Sequence, residues 1–110
     1  MINIGGYIYL ICDPSNDTYK IGVTRNLESN RIKKLQTGNS TELHISYIYR
    51  CQYPFRLEKM LHNHYYSKRI LNEWFDFDSN DCTNFINTCK ELDYRISIMK
   101  DNPFFAKDLK

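Results

Sequence analysis

The sequence predicts an α/β (α+β) fold, in which a small three-stranded antiparallel sheet is flanked by helices. Two runs of β-branched and aromatic residues enclose a turn-rich loop near the start of the chain. A third run, after residue 41, alternates apolar and polar residues in the manner of a half-buried strand. Elsewhere apolar residues recur at helical spacing, which indicates helices that pack one face against the sheet.

The first two strands are expected over Tyr7–Cys12 and Thr18–Val23, since the loop "DPSND" between them is rich in residues that favour turns. A first helix is expected from Leu27 to Gly38, with an Asn or Thr ahead of it as the cap and a glycine to end it. The segment "ELHISYIYR" predicts the third strand over Glu42–Arg50, with its alternate apolar residues on one face.

A second helix is expected to begin near Pro54, which suits a first helical turn, and to end in the region of Tyr66–Lys68. The segment "NEWFDFD" reads as a short extended stretch. A last helix should be capped by Asp78 or Ser79, and its apolar side is formed by Cys82, Phe85, Ile86, Cys89 and Leu92.

The composition predicts one domain over residues 1–110, with a motif-bearing core at about 6–77 and a C-terminal helix and tail over 78–110. Hydrophobic residues make up 42% and charged residues 25%, close to globular averages, which excludes disordered and fibrous classes. The net charge of +2 does not by itself indicate nucleic acid or membrane binding.

The four cysteines lack the spacing of a zinc site, and no leader is expected in "MINIGGYIYL". We therefore expect reduced, mostly buried thiols in an intracellular protein. No apolar run approaches the ~20 residues that span a bilayer, so no membrane partner is expected. The many Asn, Ile, Lys and Tyr residues are typical of an AT-rich genome, such as that of a virus or phage.

The predicted hairpin should expose a group of polar side chains on one face. Because side chains alternate along a strand, Ile8, Leu10 and Cys12 point away from Tyr9 on the first strand. If the more apolar faces turn inward, Tyr9 and Lys20 lie together on the opposite face, with Gly22 leaving room beside them. This arrangement is typical of a functional site rather than of a hydrophobic core.

Two helices contribute further candidates. Arg31 falls on the rim of the apolar stripe of the first helix, from where a guanidinium can reach over the sheet. On the second helix Glu58 and His62 are four residues apart on one face, and a carboxylate beside a histidine can hold a metal ion. The alternative for this pair is an exposed helical contact worth a few tenths of a kcal/mol.

In this order and spacing, these residues resemble the GIY-YIG endonuclease superfamily. "YIY" stands where the superfamily has GIY, and "KIG" stands where it has YIG. The longer strings "YKIGVTRN", "RIKKLQTGN" and "LEKMLHNHYYSKRILNEWF" are similar to its phage T5-type branch in particular. The resemblance spans roughly residues 6–77, and the ordered combination of motifs is more specific than any one of them.

The resemblance implies a GIY-YIG-like fold and a catalytic role for four residues, namely Tyr9, Lys20, Arg31 and His62. It implies that Tyr9 removes a proton, that Lys20 and Arg31 act on phosphate, and that Glu58 holds one Mg²⁺ or Mn²⁺ ion. The segment "EWF" matches a further position of the branch. Nucleic-acid contacts are expected from the basic residues Arg25, Lys33 and Lys34.

The sequence departs from the family pattern at three positions. Lys20 replaces the second motif tyrosine, which removes a hydroxyl and adds a cation. Arg31 lies one residue further from Gly22 than is usual, which indicates an insertion before the first helix. Asn72 stands where the branch often has a glycine before "EWF", so the family geometry of that turn is not expected to carry over unchanged.

The expected function is therefore that of a metal-dependent endonuclease that hydrolyses DNA phosphodiester bonds in duplex or branched DNA. The alternative is a catalytically weak or inactive module that binds DNA or a partner with the same fold, and a purely structural domain is more remote. Because the net charge is small, recruitment by another protein or homodimerisation would help such a domain to hold DNA.

Overall fold

The computed structural model describes residues 5–27 and 42–99, and these form an α+β domain. In chain order the elements are β1 (Gly6–Asp13), β2 (Thr18–Thr24), β3 (His44–Cys51), α1 (Pro54–His64), a 3₁₀ turn (Tyr66–Lys68), β4 (Arg69–Leu71), β5 (Trp74–Phe75) and α2 (Ser79–Met99). The predicted helix from Leu27 to Gly38 lies, after its first residue, outside the described residues, and so do Arg31, Lys33 and Lys34.

Within residues 5–27 and 42–99 the sheet has five antiparallel strands in the order β3-β1-β2-β5-β4, so the prediction of three strands was wrong. The additional strands are the short hairpin formed by β4 and β5, which is three residues on one side and two on the other. Strands of this length are too short to show the alternation of apolar and polar residues by which a strand is recognised in a sequence. Strand β5 pairs with β2, where Lys20 lies opposite Trp74, and β4 forms the edge of the sheet.

The hairpin of β1 and β2 forms as predicted, around a four-residue turn that ends at Asp17. The side chain of Asp13 accepts hydrogen bonds from the backbone N–H of Ser15 (3.1 Å) and from Nδ2 of Asn16 (2.9 Å). Asp17 adopts a left-handed φ of 52°, which an aspartate tolerates better than most residues. The loop sequence therefore fixes the register of the two long strands.

Strand β3 pairs with β1 as predicted, but its side chains do not alternate without interruption. Leu10 lies opposite Tyr47, whereas the next residue, Ile11, lies opposite Ile45, so β3 has one extra residue at Ser46. This bulge turns Ile45 to the face opposite that of Tyr47. The expectation that the alternate apolar residues of this strand share one face was therefore wrong.

Helices α1 and α2 pack on one face of the sheet and bury its apolar side chains. Apolar residues of both helices and of β1 and β2 form the core, namely Ile8, Leu10, Ile21, Val23, Leu57, Leu61, Phe85, Cys89, Leu92 and Ile96. The rings of Tyr65 and Phe77 lie 4.5 Å apart and close the core beneath the short hairpin. Ring packing of this kind adds to the free energy of area burial by about 1 kcal/mol.

The start of α2 is fixed by reciprocal capping, as the choice of Asp78 or Ser79 anticipated. Asp78 Oδ1 accepts the N–H of Asp81 (2.8 Å), and Asp81 Oδ2 accepts the N–H of Asp78 (3.0 Å). The first of these bonds, together with the nearby Lys68 ammonium, holds the pKa of Asp78 below its usual value. The capping pair thus sets where the polypeptide turns into the last helix.

The thiols of the described residues are free, and Cys51 and Cys89 lie in the core. Burial raises the pKa of each of these two thiols to about 12, so both stay protonated at neutral pH. Cys12 and Cys82 are half-buried, so the expectation of buried thiols holds for two of the four cysteines. Among the described helices, neither has the length and apolar composition to span a bilayer.

Candidate active site

The candidate site lies at the edge of β2, where its partner strand β5 begins. The backbone N–H of Ile21 donates to the carbonyl oxygen of Glu73 at 3.1 Å, and the carbonyl oxygen of Ile21 lies 3.2 Å from Nε2 of His62. The N–H and the C=O of one strand residue point to the same side. A single residue of a central strand therefore holds Glu73 and His62 next to each other.

The contact with Ile21 determines the tautomer of neutral His62. A carbonyl oxygen only accepts hydrogen bonds, so Nε2 must carry the hydrogen, and the lone pair of the neutral ring is then on Nδ1. The ring also packs edge-on against Phe75, with centroids 5.1 Å apart and planes at 89°. A histidine held in this way by a backbone carbonyl presents its other nitrogen as a ligand.

Glu58 comes to the same point because of its position on α1. Leu57 and Leu61 face the core, so Glu58 and His62 lie side by side on the adjoining flank of the helix. The ligand atoms of Glu58, His62 and Glu73 all lie within 4.8 Å of one another, and each residue is half-buried. This set of two carboxylates and one imidazole has the donor types of a divalent metal site.

Glu73 reaches the site from the turn that joins β4 to β5. Leu71 pairs with Trp74, so the connection has only two residues, and the first of them, Asn72, has a left-handed φ of 53°. Asparagine is one of the residues that accept this conformation in place of glycine. The turn therefore forms despite the departure from the family pattern at Asn72.

Lys20 contributes a positive charge to the same site. Its Nζ lies 2.5 Å from Oε2 of Glu73, and the side chains of Lys20 and Glu73 are 9% and 33% exposed. A partly buried pair is screened less by water and salt than a surface pair. One of the three candidate metal ligands is thus in contact with an ammonium group from the neighbouring strand.

Tyr9 lies on the same face of the sheet as Lys20, as predicted, but it does not lie directly opposite it. The register pairs Tyr9 with Gly22 and Ile11 with Lys20, so Tyr9 and Lys20 are diagonal neighbours. A Cβ atom at Gly22 would stand 2.2 Å from Cζ of Tyr9, which means that the ring lies directly on the glycine. The Tyr9 side chain is fully buried in this position.

Arg25 lies near the beginning of α1 rather than among the candidate metal ligands. Its guanidinium carbon is 4.9 Å from the ring centroid of Phe55, and its Nη1 donates to the carbonyl oxygen of Gly5 at 3.3 Å. Phe55 lies on the same flank of the helix as Glu58, one turn earlier. Of the predicted site residues, the structure thus brings together Lys20, Glu58 and His62 through Glu73, whereas Tyr9 packs on Gly22 and Arg25 on Phe55.

Glu73 has no role among the sequence-based predictions, although its carboxylate contacts Lys20 and lies within 4.8 Å of the ligand atoms of Glu58 and His62. Only the resemblance of "EWF" to the family pattern marked this position. A signal was present in the charge pattern, because an acidic residue directly before an apolar extended pair would complement Lys20 on the neighbouring strand.

The fold and the site define a class of small α+β domain that carries carboxylate, imidazole and ammonium groups at a sheet edge. Comparison with protein families identifies it further, because the model of the T5orf172 domain matches residues 6–90. The chain belongs to the T5orf172 domain family, which is a nuclease-like family and indicates a nuclease-like or DNA-binding role. No curated protein and no solved structure matches the chain significantly.

Proposed function

We propose that this protein is a metal-dependent endonuclease of the GIY-YIG type, which hydrolyses phosphodiester bonds of DNA. The observation that carries the proposal is the meeting of Glu58, His62 and Glu73 within 4.8 Å beside Lys20. Phosphodiester hydrolysis needs charge stabilisation at phosphorus and a group that accepts a proton from water. Membership of the T5orf172 domain family supports a nuclease activity in general, without specifying its class.

The donor set fits one divalent ion, held by one oxygen each of Glu58 and Glu73 and by the nitrogen of His62. Mg²⁺ prefers oxygen ligands alone, whereas an imidazole is better suited to a transition metal such as Mn²⁺. When bound, the ion would polarise a phosphate oxygen and lower the pKa of water. We therefore infer that Mn²⁺ supports activity better than Mg²⁺ does.

The protein groups around the donor set take complementary roles. The ammonium of Lys20 acts as a point charge on a phosphate oxygen, next to the carboxylate that holds it in position. Tyr9 lies on the same face of the sheet as Lys20, and in this scheme its hydroxyl is the group that takes part in proton removal. Arg31 is assigned to the phosphate by the family pattern alone.

We assign the binding of DNA phosphates other than the cleaved one to basic residues. Arg25 is already oriented by its contacts with Phe55 and Gly5, so less side-chain entropy is lost when it binds a phosphate. Lys33 and Lys34 are assigned to the same role from the sequence. Each cation that meets a phosphate makes the affinity more dependent on salt.

The test is cleavage of supercoiled plasmid and of branched oligonucleotides by the full chain with Mn²⁺ or Mg²⁺. Glu58→Gln and Tyr9→Phe should each abolish cleavage while the far-UV circular dichroism spectrum and Tm are retained. Matched controls are Glu91→Gln and Tyr94→Phe, which alter exposed residues of α2 and should cut like the parent chain. Full activity of Glu58→Gln would contradict the metal role.

A second candidate function, DNA binding without cleavage, is favoured by the burial of Tyr9. A buried hydroxyl is not in contact with solvent water, and the other motif position holds Lys20 in place of a tyrosine. In that case the chain would bind DNA with or without metal and would cut no substrate. The same cleavage experiment therefore separates the two candidates, with fluorescence anisotropy as the measurement of binding.

A further inference from the structure

Three apolar side chains lie exposed on the 3₁₀ turn and on strand β4, next to the turn that carries Glu73. Tyr66 is 71% exposed, Leu71 is 65% exposed and Ile70 is 55% exposed. With Ser67, Arg69 and Asn72 they line a shallow concavity of about 490 Å³ at the edge of the sheet. We name Tyr66, Arg69, Ile70 and Leu71 the hairpin patch.

Leu71 connects the hairpin patch with the candidate active site, whereas Arg69 lies opposite Phe75, on the other face of the hairpin. The strand register gives one row of residues on a single face of the sheet, in which Lys20 is followed by Trp74 and then by Leu71. Neighbouring strands are about 4.8 Å apart, so Leu71 lies about 10 Å from Lys20 across the sheet. Along the chain, Leu71 is separated from Glu73 only by Asn72.

The charge of the hairpin patch is positive. Arg69 is exposed and, within the part of the chain that the structure describes, makes no side-chain hydrogen bond or ion pair. On its other side Arg69 shares a second concavity with Asp76 and Asp78, of which Asp78 is paired with Lys68. The guanidinium therefore faces solvent at the edge of the hairpin, in the concavity that Tyr66, Ile70 and Leu71 also line.

We propose that the hairpin patch binds unpaired nucleobases next to the scissile phosphate, so that the substrate is DNA with unstacked nucleotides, such as a bubble, flap or junction. The proposal rests on the nuclease function proposed above. A phosphate group makes no apolar contact with Ile70 and Leu71, whereas the faces of bases and the methyl group of thymine can pack against both side chains. In an intact duplex those faces are stacked and out of reach.

A nucleobase fits the hairpin patch better than a second copy of the chain does. Stable protein interfaces bury about 800 Å² on each partner, and three side chains on a three-residue edge strand fall well short of that area. A single unstacked base needs only an aromatic ring for stacking, a guanidinium and an amide. Tyr66, Arg69 and Asn72 supply these groups around one concavity.

The experiment compares two oligonucleotides of the same sequence and length, one fully paired and one with a central unpaired bubble. Binding is measured by fluorescence anisotropy without divalent metal and at one fixed salt concentration. We expect the parent chain to bind the bubble about tenfold more tightly than the duplex, which is within the range for one stacked base. Tyr66→Ala and Leu71→Ser should each bring the two affinities close to parity.

Matched controls are Tyr94→Ala and Ile98→Ser, which remove side chains that are 67% and 62% exposed on α2. Both controls should retain the tenfold preference. Equal binding of the two oligonucleotides by the parent chain, or a preference that survives Tyr66→Ala and Leu71→Ser, would overturn the proposal. A dimer that these two variants dissociate in analytical ultracentrifugation would also overturn it, because the patch would then bind a second copy.

The same oligonucleotides separate this inference from the proposed function. If the parent chain binds the bubble preferentially through the hairpin patch but cuts neither oligonucleotide, the nuclease function fails and the base-binding patch stands. If it cuts both oligonucleotides at equal rates and the patch variants cut like the parent chain, the nuclease function stands and the base-binding patch fails.

Discussion

Replacement of Lys20 by methionine removes a positive charge from the candidate metal site and keeps the unbranched side chain. In the structure the Lys20 ammonium lies 2.5 Å from Oε2 of Glu73, which is one of the three candidate ligands. An ion that shares this carboxylate would be repelled by the ammonium. We therefore expect Lys20→Met to bind Mn²⁺ more tightly than the parent chain does, although it should cut DNA more slowly.

The size of the effect follows from the distances. Metal–oxygen bonds in such sites are about 2.1 Å long, so an ion on the same oxygen would lie within about 5 Å of Nζ. At about 5 Å a single and a double positive charge repel by about 1.7 kcal/mol in water, and by more at lower effective dielectric. Because Glu73 is one-third exposed, we use the repulsion energy for water, about 1.7 kcal/mol. Removal of this repulsion in Lys20→Met corresponds to at least a tenfold decrease in the Kd for Mn²⁺.

The assay is a titration of Mn²⁺ followed by electron paramagnetic resonance, in which the signal of the free ion is measured directly. Lys20→Arg is the matched control, since it retains the charge and should leave the Kd nearly unchanged. A Kd for Lys20→Met that is equal to or higher than that of the parent chain, in a protein with an unchanged circular dichroism spectrum, would refute the reasoning. It would mean that Glu73 is not a ligand.

Three further predictions concern packing, capping and thiol reactivity. Gly22→Ala would place a Cβ 2.2 Å from Tyr9, so we expect a loss of about 1–3 kcal/mol of stability in urea unfolding, and an unchanged midpoint would contradict the contact. Asp78→Ala should lower Tm at pH 7, because the N–H of Asp81 lowers the folded-state pKa of Asp78 and the ionised carboxylate stabilises the fold. This stabilisation is present above about pH 4 and is lost as the pH falls through the folded-state pKa. The parent chain and the variant should therefore have the same Tm in strong acid. The pKa of about 12 for Cys89 predicts very slow modification by a thiol reagent at pH 8 in the folded protein, and fast modification there would argue against its burial.

The sequence predicted the long elements because each of them has enough residues to display its period. The hairpin of β1 and β2, the strand β3 and the two described helices are all seven residues or longer, and in the two helices the apolar pattern matches the face that is buried. The hairpin of β4 and β5 was not predicted as strands, since two or three residues show no alternation. The bulge at Ser46 was also not predicted, because an extra residue leaves no mark in composition.

The site was predictable where its residues share an element, and not where they meet through the fold. Glu58 and His62 are four residues apart on one helix, so their proximity follows from helical geometry alone. Glu73 is distant from both in sequence, and it meets them only because the turn at Asn72 directs it towards β2. The burial of Tyr9 was likewise outside the reach of strand alternation, which indicates a face but not what covers it.

The arrangement of Ile21 explains which parts of the site can vary. Its N–H and C=O hold Glu73 and His62, so two of the three candidate ligands are positioned by backbone groups that no side-chain substitution removes. The charge at Lys20 and the side chains of the hairpin patch, in contrast, can change without altering that backbone. In the proposed endonuclease, substitutions at these positions are therefore expected to leave Glu73 and His62 in place, while the charge at position 20 sets the affinity for the ion and the tip of the hairpin sets the choice of nucleic acid.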